Sequence, residues 1–126
     1  MPNIYYSVGG GVHHGELAEQ AVVREVYEET GVKYEIDYLA VIHENLFKSN
    51  AELFKNLNCH EVTIYFMMKP KNTQALNSNS YVFGVKENLI WIPINDLDKY
   101  NTYPKFLKNY LQSQHEHIEH IVSYYA

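Results

Sequence analysis

Residues Gly9 to Val32 read GGGVHHGELAEQAVVREVYEETGV, and the rest of the chain is understood from this stretch outward. A glycine run opens it, where the backbone can reach φ > 0 and other groups can approach closely; the plainer alternative is a tight turn. From Leu17 to Thr30 the run of Ala, Glu, Gln and Arg predicts a helix, and Gly31 stands where a glycine would end it. At about 100° per residue, Ala18, Ala21 and Val22 fall in line with Glu25, Glu28 and Glu29, so the stripe is small and apolar first, then acidic. A helix is negative at its C-terminal end, so three carboxylates there repel both the dipole and one another. One alternative is a solvated charged face. Against it stand the position on the dipole and the scarcity of cations, with Arg24 alone among the acids; a divalent cation would relieve both.

The spacing of this stretch resembles the Nudix box, G-x5-E-x7-R-E-U-x-E-E-x-G-U with U a bulky aliphatic residue. Gly10, Glu16, Arg24, Glu25, Val26, Glu28, Glu29, Gly31 and Val32 satisfy every position, over 23 of the 126 residues. Typical residue frequencies give such a match by chance on the order of one time in 10⁹ per site, which sets it apart from a lone glycine loop. A later Trp91 and Pro93 followed by a short helical stretch also resembles the family. The resemblance implies an α/β fold, a Nudix-type α/β/α sandwich with a mixed sheet in one domain over residues 1–126. It implies Mg²⁺-dependent (or Mn²⁺-dependent) hydrolysis of the diphosphate bond of a nucleoside diphosphate linked to another moiety, such as an ADP-ribose-like, dinucleotide or NTP substrate. Glu25, Glu28 and Glu29 would then bind metal with the backbone carbonyl of Gly9, and Glu28 and Glu29 would be catalytic. Gly10, Glu16, Arg24 and Gly31 would be supporting residues, Arg24 holding box carboxylates by charge-assisted hydrogen bonds. Independently of any family, hard oxygen ligands suit Mg²⁺, and a metal so held bridges diphosphate oxygens and activates water.

In the family the general base lies on variable loops or within the box. Glu87, four residues before Trp91, is the first candidate, with a solvated turn residue as its alternative; Glu44 and Glu61 are further candidates. Family members begin with strands ahead of the glycine run, whereas about eight residues precede it here. The expectation is an N-terminally truncated version with an unpaired sheet edge, covered by a homodimer or a swapped element. Two rival readings follow: a non-catalytic nucleotide-binding Nudix module, and an inactive truncated form.

Composition bounds these readings. An apolar fraction of 46% with 20% charged residues is that of an ordinary globular domain. A net charge of −5 with dispersed Lys and Arg argues against a nucleic-acid partner, because phosphate contacts need a basic face. No apolar run approaches a membrane span, the N-terminus carries no signal pattern, and a single Cys59 suits a reducing compartment; a cytoplasmic protein with a small-molecule substrate is expected.

Along the chain, Ile4–Val8 is β-like, Tyr34–Asn45 predicts one or two strands, and Lys48–Asn58 a loop. His60–Met68 is the strongest strand signal, and residues 71–80 are a polar loop. Tyr81–Val85 and Leu89–Pro93 predict strands, with a helical turn at Asn95–Leu97. Tyr103–Gln112 predicts a second helix from its 3–4 apolar spacing, and Ile118–Tyr125 a last strand. His13 and His14 read as loop residues. His115, His117 and His120 in HEHIEH suggest zinc only superficially, since HExxH needs His where Glu119 stands.

Overall fold

The computed structural model describes residues 4–49, 55–76, 81–82, 85–86 and 89–124. Its backbone groups into two units, Met1–Glu35 with Lys69–His115, and Ile36–Met68 with Glu116–Ala126.

In the first unit, β1 (Ile4–Tyr6) leads into the glycine loop and α1 (Ala18–Thr30). Helix α1 starts where expected. Gln20 Oε1 accepts the Leu17 backbone N–H at 2.9 Å, occupying a donor that the helix itself leaves unsatisfied. It ends at Gly31, whose φ of 74° is the left-handed conformation a C′ glycine provides, with its N–H bonded to the Tyr27 carbonyl at 2.8 Å. Ala21, Val26 and Thr30 are its buried positions. The buried Thr30 hydroxyl donates to the Val26 carbonyl at 2.7 Å and accepts the Val32 N–H at 3.1 Å, so the helix end is tied down without a charged cap.

Strand β1 pairs in parallel with β6 (Asn101–Tyr103), a strand the sequence did not suggest. The helix predicted over Tyr103–Gln112 is correspondingly shorter: α2 spans Leu107–Leu111. Pro104 explains the difference, because the residue before a proline is driven to extended geometry and Tyr103 therefore closes a strand. The turn expected at Asn95–Leu97 is present as a 3₁₀ helix over Ile94–Lys99. It is held to α2 by Lys108 Nζ on Asp98 Oδ2 at 2.7 Å and by Gln112 on Asn95 at 2.9 Å. Where a single short strand over Tyr81–Val85 is expected, β4 (Tyr81–Val82) and β5 (Val85–Lys86) form a minimal antiparallel pair.

The strand predicted at Leu89–Pro93 is absent: that segment pairs with no described strand and has no regular structure. Two of its apolar residues, Ile90 and Trp91, are 44% and 49% exposed. The Trp91 indole N–H donates to the Gln74 carbonyl at 2.8 Å, which satisfies the polar edge of the ring that a strand would have had to bury.

The second unit is a mixed three-stranded sheet in the order β3–β2–β7, where β2 is Ile36–Lys48, β3 is Asn58–Met68 and β7 is Glu119–Tyr124. β2 and β3 are antiparallel from Ile36↔Met68 to Lys48↔Asn58, and β7 lies parallel to β2 from Val41↔Glu119 to Leu46↔Tyr124. The segment predicted as one or two strands is thus one long strand, and both strands run further into the expected 48–58 loop. Past the strand ends, Ser49 N–H bonds the Leu57 carbonyl at 2.9 Å and Asn56, at φ 66°, donates to Ser49 at 3.0 Å. Asparagine tolerates that left-handed conformation better than most residues. Val41 is 1% exposed, a burial that stabilises by roughly 1.5–3 kcal/mol. Beside it His43 is buried with Nε2 2.8 Å from Ser123 Oγ, and burial lowers its pKa. Among the described residues, no helix is long and apolar enough to cross a membrane.

Candidate active site

The site is assembled where the glycine loop returns over the second half of α1. Arg24 projects from the middle of the helix between acids that precede and follow it. Its Nε and Nη2 grip Glu16 in a two-pronged contact, at 2.8 Å to Oε2 and 2.9 Å to Oε1. Nη2 also donates to the Gly11 carbonyl at 3.0 Å, and Nη1 to Glu25 Oε1 at 2.8 Å. Glu28, one turn on, is reached at 3.3 Å and 3.5 Å. One guanidinium therefore fastens the loop to the helix and answers the charge of three acids. Arg24 suits the task because its donors are fixed in a planar fork that grips a carboxylate by two parallel bonds, a geometry a compact ammonium lacks.

Glu16 also accepts the His13 N–H at 3.0 Å. Hydrogen bonds from Arg24 first and His13 second lower its pKa from 4.5 to about 2, while the hydrogen bonds to Glu16 first and Glu25 second raise that of Arg24. Gly9 N–H donates to Glu29 Oε2 at 3.0 Å, so this glycine is in direct contact with the most C-terminal acid of the set. A side chain at Gly10 would displace the Glu25 carboxylate: a Cβ there would stand 2.3, 2.4 and 2.6 Å from its atoms. The requirement for glycine is a close approach, not a positive φ.

The structure thus brings Gly9, Gly10, Gly11, Glu16, Arg24, Glu25, Glu28 and Glu29 together. Among the described residues, no group of three or more His, Cys, Asp or Glu is gathered closely enough to hold a metal ion. The acids have other partners: Glu25 is held by Arg24, and Glu29 accepts the Gly9 N–H. In donor chemistry the set nevertheless fits a hard divalent cation, offering carboxylate oxygens from adjacent turns and, above Glu25, a backbone stripped of its Cβ. Glu28 is the most loosely held of the acids and 54% exposed, against 17% for Glu25.

Glu87 lies outside the described residues. Glu44 and Glu61 belong to the second unit, on opposite faces of its sheet, as Glu44 opposes Val62 while Glu61 opposes Asn45. Glu44 has both oxygens engaged, Oε1 2.8 Å from His60 Nε2 and Oε2 2.5 Å from His120 Nε2, and these contacts, His120 foremost, lower its pKa. This three-strand cluster was missed by sequence reasoning; knowing that β3, β2 and β7 are neighbours is the only signal that finds it. Two histidines of HEHIEH have partners of their own. His115 stacks on Tyr110 at 3.8 Å with Nε2 2.7 Å from the Tyr110 carbonyl, while His120 faces Glu44.

A model of the NUDIX domain matches residues 2–113. The chain belongs to the Nudix domain family. Its elements, helices with a mixed sheet, agree with that fold. The match spans the residues gathered around Arg24. Among curated proteins, the chain is similar to nucleoside triphosphatase NudI of Klebsiella pneumoniae, with 26% identity over 96 residues, covering 76% of this chain and 66% of the relative. The chain spans just under two thirds of that relative's length.

Proposed function

We propose that this Nudix chain is a hydrolase that cleaves the diphosphate bond of a nucleoside diphosphate linked to another moiety, using Mg²⁺ or Mn²⁺. The observation that carries the reading is the Arg24 clamp, which holds an intact set of box acids against the glycine loop. A nucleotide-binding module without turnover has no need of three carboxylates organised about one arginine. The name of the similar protein, a nucleoside triphosphatase, supports a nucleotide substrate.

Glu25, Glu28 and Glu29 would hold the cation, which when bound supplies polarisation of the diphosphate oxygens and a water acidic enough to attack at neutral pH. Gly9 contributes the N–H that orients Glu29, and Gly10 the space that Glu25 occupies. Arg24 and Glu16 fix the loop on which both glycines sit. Glu87 takes the role of general base, removing a proton from the attacking water. The remaining parts of the reading are a single domain over residues 1–126, a cytoplasmic location and a possible homodimer, which a stable monomer in sedimentation would count against.

The test is incubation with Mg²⁺ or Mn²⁺ and a panel of ADP-ribose, NADH, diadenosine polyphosphates and (d)NTPs. Release of a phosphate-containing product, abolished by Glu29→Gln, supports the hydrolase. Saturable binding without turnover selects the non-catalytic module instead.

A further inference from the structure

We infer that the exposed ring of Tyr6, flanked by Tyr103 and Lys105, is the stacking platform for the nucleobase of the substrate; the inference rests on the proposed hydrolase reading for its substrate class. The parallel register pairs Tyr6 with Tyr103, so the two rings stand side by side on one face of the β1–β6 ribbon. They are stacked, with centroids 5.9 Å apart and planes 25° from parallel. Tyr5, the alternate residue of β1, meets Tyr100 edge to face at 5.7 Å and braces the strand. Tyr6 itself is 71% exposed, so its pairing with Tyr103 leaves most of the ring open to solvent. An aromatic ring held in place by a cross-strand partner yet open to solvent has a π-face free for another planar ring.

Two further observations point to a nucleotide as the occupant. Lys105 Nζ sits 4.3 Å from the Tyr103 ring centroid and is held there by Asn101 Oδ1 at 3.0 Å. It places a fixed cation beside the rings, in a chain of net charge −5, where an anionic phosphate group would meet it. β1 then runs directly into the box: Tyr6 precedes by three residues Gly9, whose N–H binds Glu29. At most about 10–11 Å of chain separates the two. Base–aromatic stacking tolerates every base, because each has a π-face, so the platform implies a site that selects nucleotides over other diphosphates more strongly than one base over another.

The experiment is an NMR titration of the full chain, without metal, using AMP and, as the base-free control, ribose 5-phosphate. The expected result is that AMP shifts the ring resonances of Tyr6 and Tyr103 and that ribose 5-phosphate does not. Tyr6→Ala should weaken AMP binding by roughly 5- to 150-fold, the range lost when a stacking aromatic is removed, and Tyr6→Phe should restore it. Binding of ribose 5-phosphate should be unaffected by either change. The inference is overturned if AMP fails to bind, if it shifts the rings no more than ribose 5-phosphate does, or if Tyr6→Ala binds AMP as tightly as the parent. Because the titration requires no turnover, it is independent of the hydrolysis assay: AMP stacking in a protein that cleaves nothing in the panel defeats the hydrolase reading and leaves the platform standing.

Discussion

Arg24 and Glu16 are joined by two parallel hydrogen bonds of 2.8 and 2.9 Å, from Nε and Nη2 to the two oxygens of one carboxylate. Eight residues apart in sequence, they tie the loop that enters α1 to the middle of that helix. This two-pronged contact is the mechanical centre of the box.

It has an acid limit. The pKa of Glu16 falls from 4.5 unfolded to about 2 in the fold, so its ionised carboxylate favours the folded state. That contribution is complete above the unfolded value, shrinks as pH falls from about 4.5 towards 2, and is gone below. Urea midpoints measured against pH for the parent and Glu16→Gln should differ by a constant amount at neutral pH and converge as pH approaches 2. A gap that persists unchanged to the acid end would contradict the assignment.

Arg24→Lys keeps the charge and loses the fork. An ammonium cannot serve Glu16, Glu25 and the Gly11 carbonyl together, so Glu25 should lose its fixed orientation. Loss of a residue that orients metal ligands typically costs about 10–100-fold in metal affinity or activity, and Mn²⁺ binding followed by EPR should show a drop of that size.

At Gly10 the prediction separates function from stability. An alanine Cβ would displace the Glu25 carboxylate, the flexible end of a side chain, so the fold should accommodate it. Mn²⁺ affinity should fall by about 10-fold while the thermal midpoint stays nearly constant. A large loss of stability with metal affinity intact would mean that Gly10 serves the backbone instead.

Gly31→Ala should do the reverse. The substitution forces a Cβ into φ 74°, at a cost of about 1–2 kcal/mol. Denaturant midpoints should drop accordingly while Mn²⁺ affinity of the folded protein is little changed.

If Glu87 is the general base, Glu87→Gln should slow turnover by roughly 10²–10⁴ while leaving metal binding nearly intact. Turnover equal to the parent sinks that role and returns the search to residues of the box.

Much of this was legible in the sequence. Helix α1, its glycine terminus, the β2 and β3 strands and the 3₁₀ turn follow from local preferences: spacing near 3.6, runs of β-formers, and Gly31, Pro70 and Pro93 at or near three of the boundaries. Errors arose where a partner or one residue overrode the pattern. Leu89–Pro93 has the composition of a strand but no neighbour to pair with, and Trp91 bonds Gln74 instead. Tyr103–Gln112 has helical spacing, but Pro104 sets Tyr103 in a strand.

By itself the sequence determined that three acids would share one stretch of α1 with Arg24 among them, because helical geometry converts spacing into direction. Only the tertiary structure decided what those side chains hold. It set the fork on Glu16, the contact of Gly9 with Glu29, and the space over Glu25 that excludes a Cβ at Gly10. It also placed His60 and His120 on either side of Glu44 from strands far apart in the chain. Contacts of that kind depend on strand order and loop path, which are settled by packing of the whole unit and leave no periodic trace in the residues that make them.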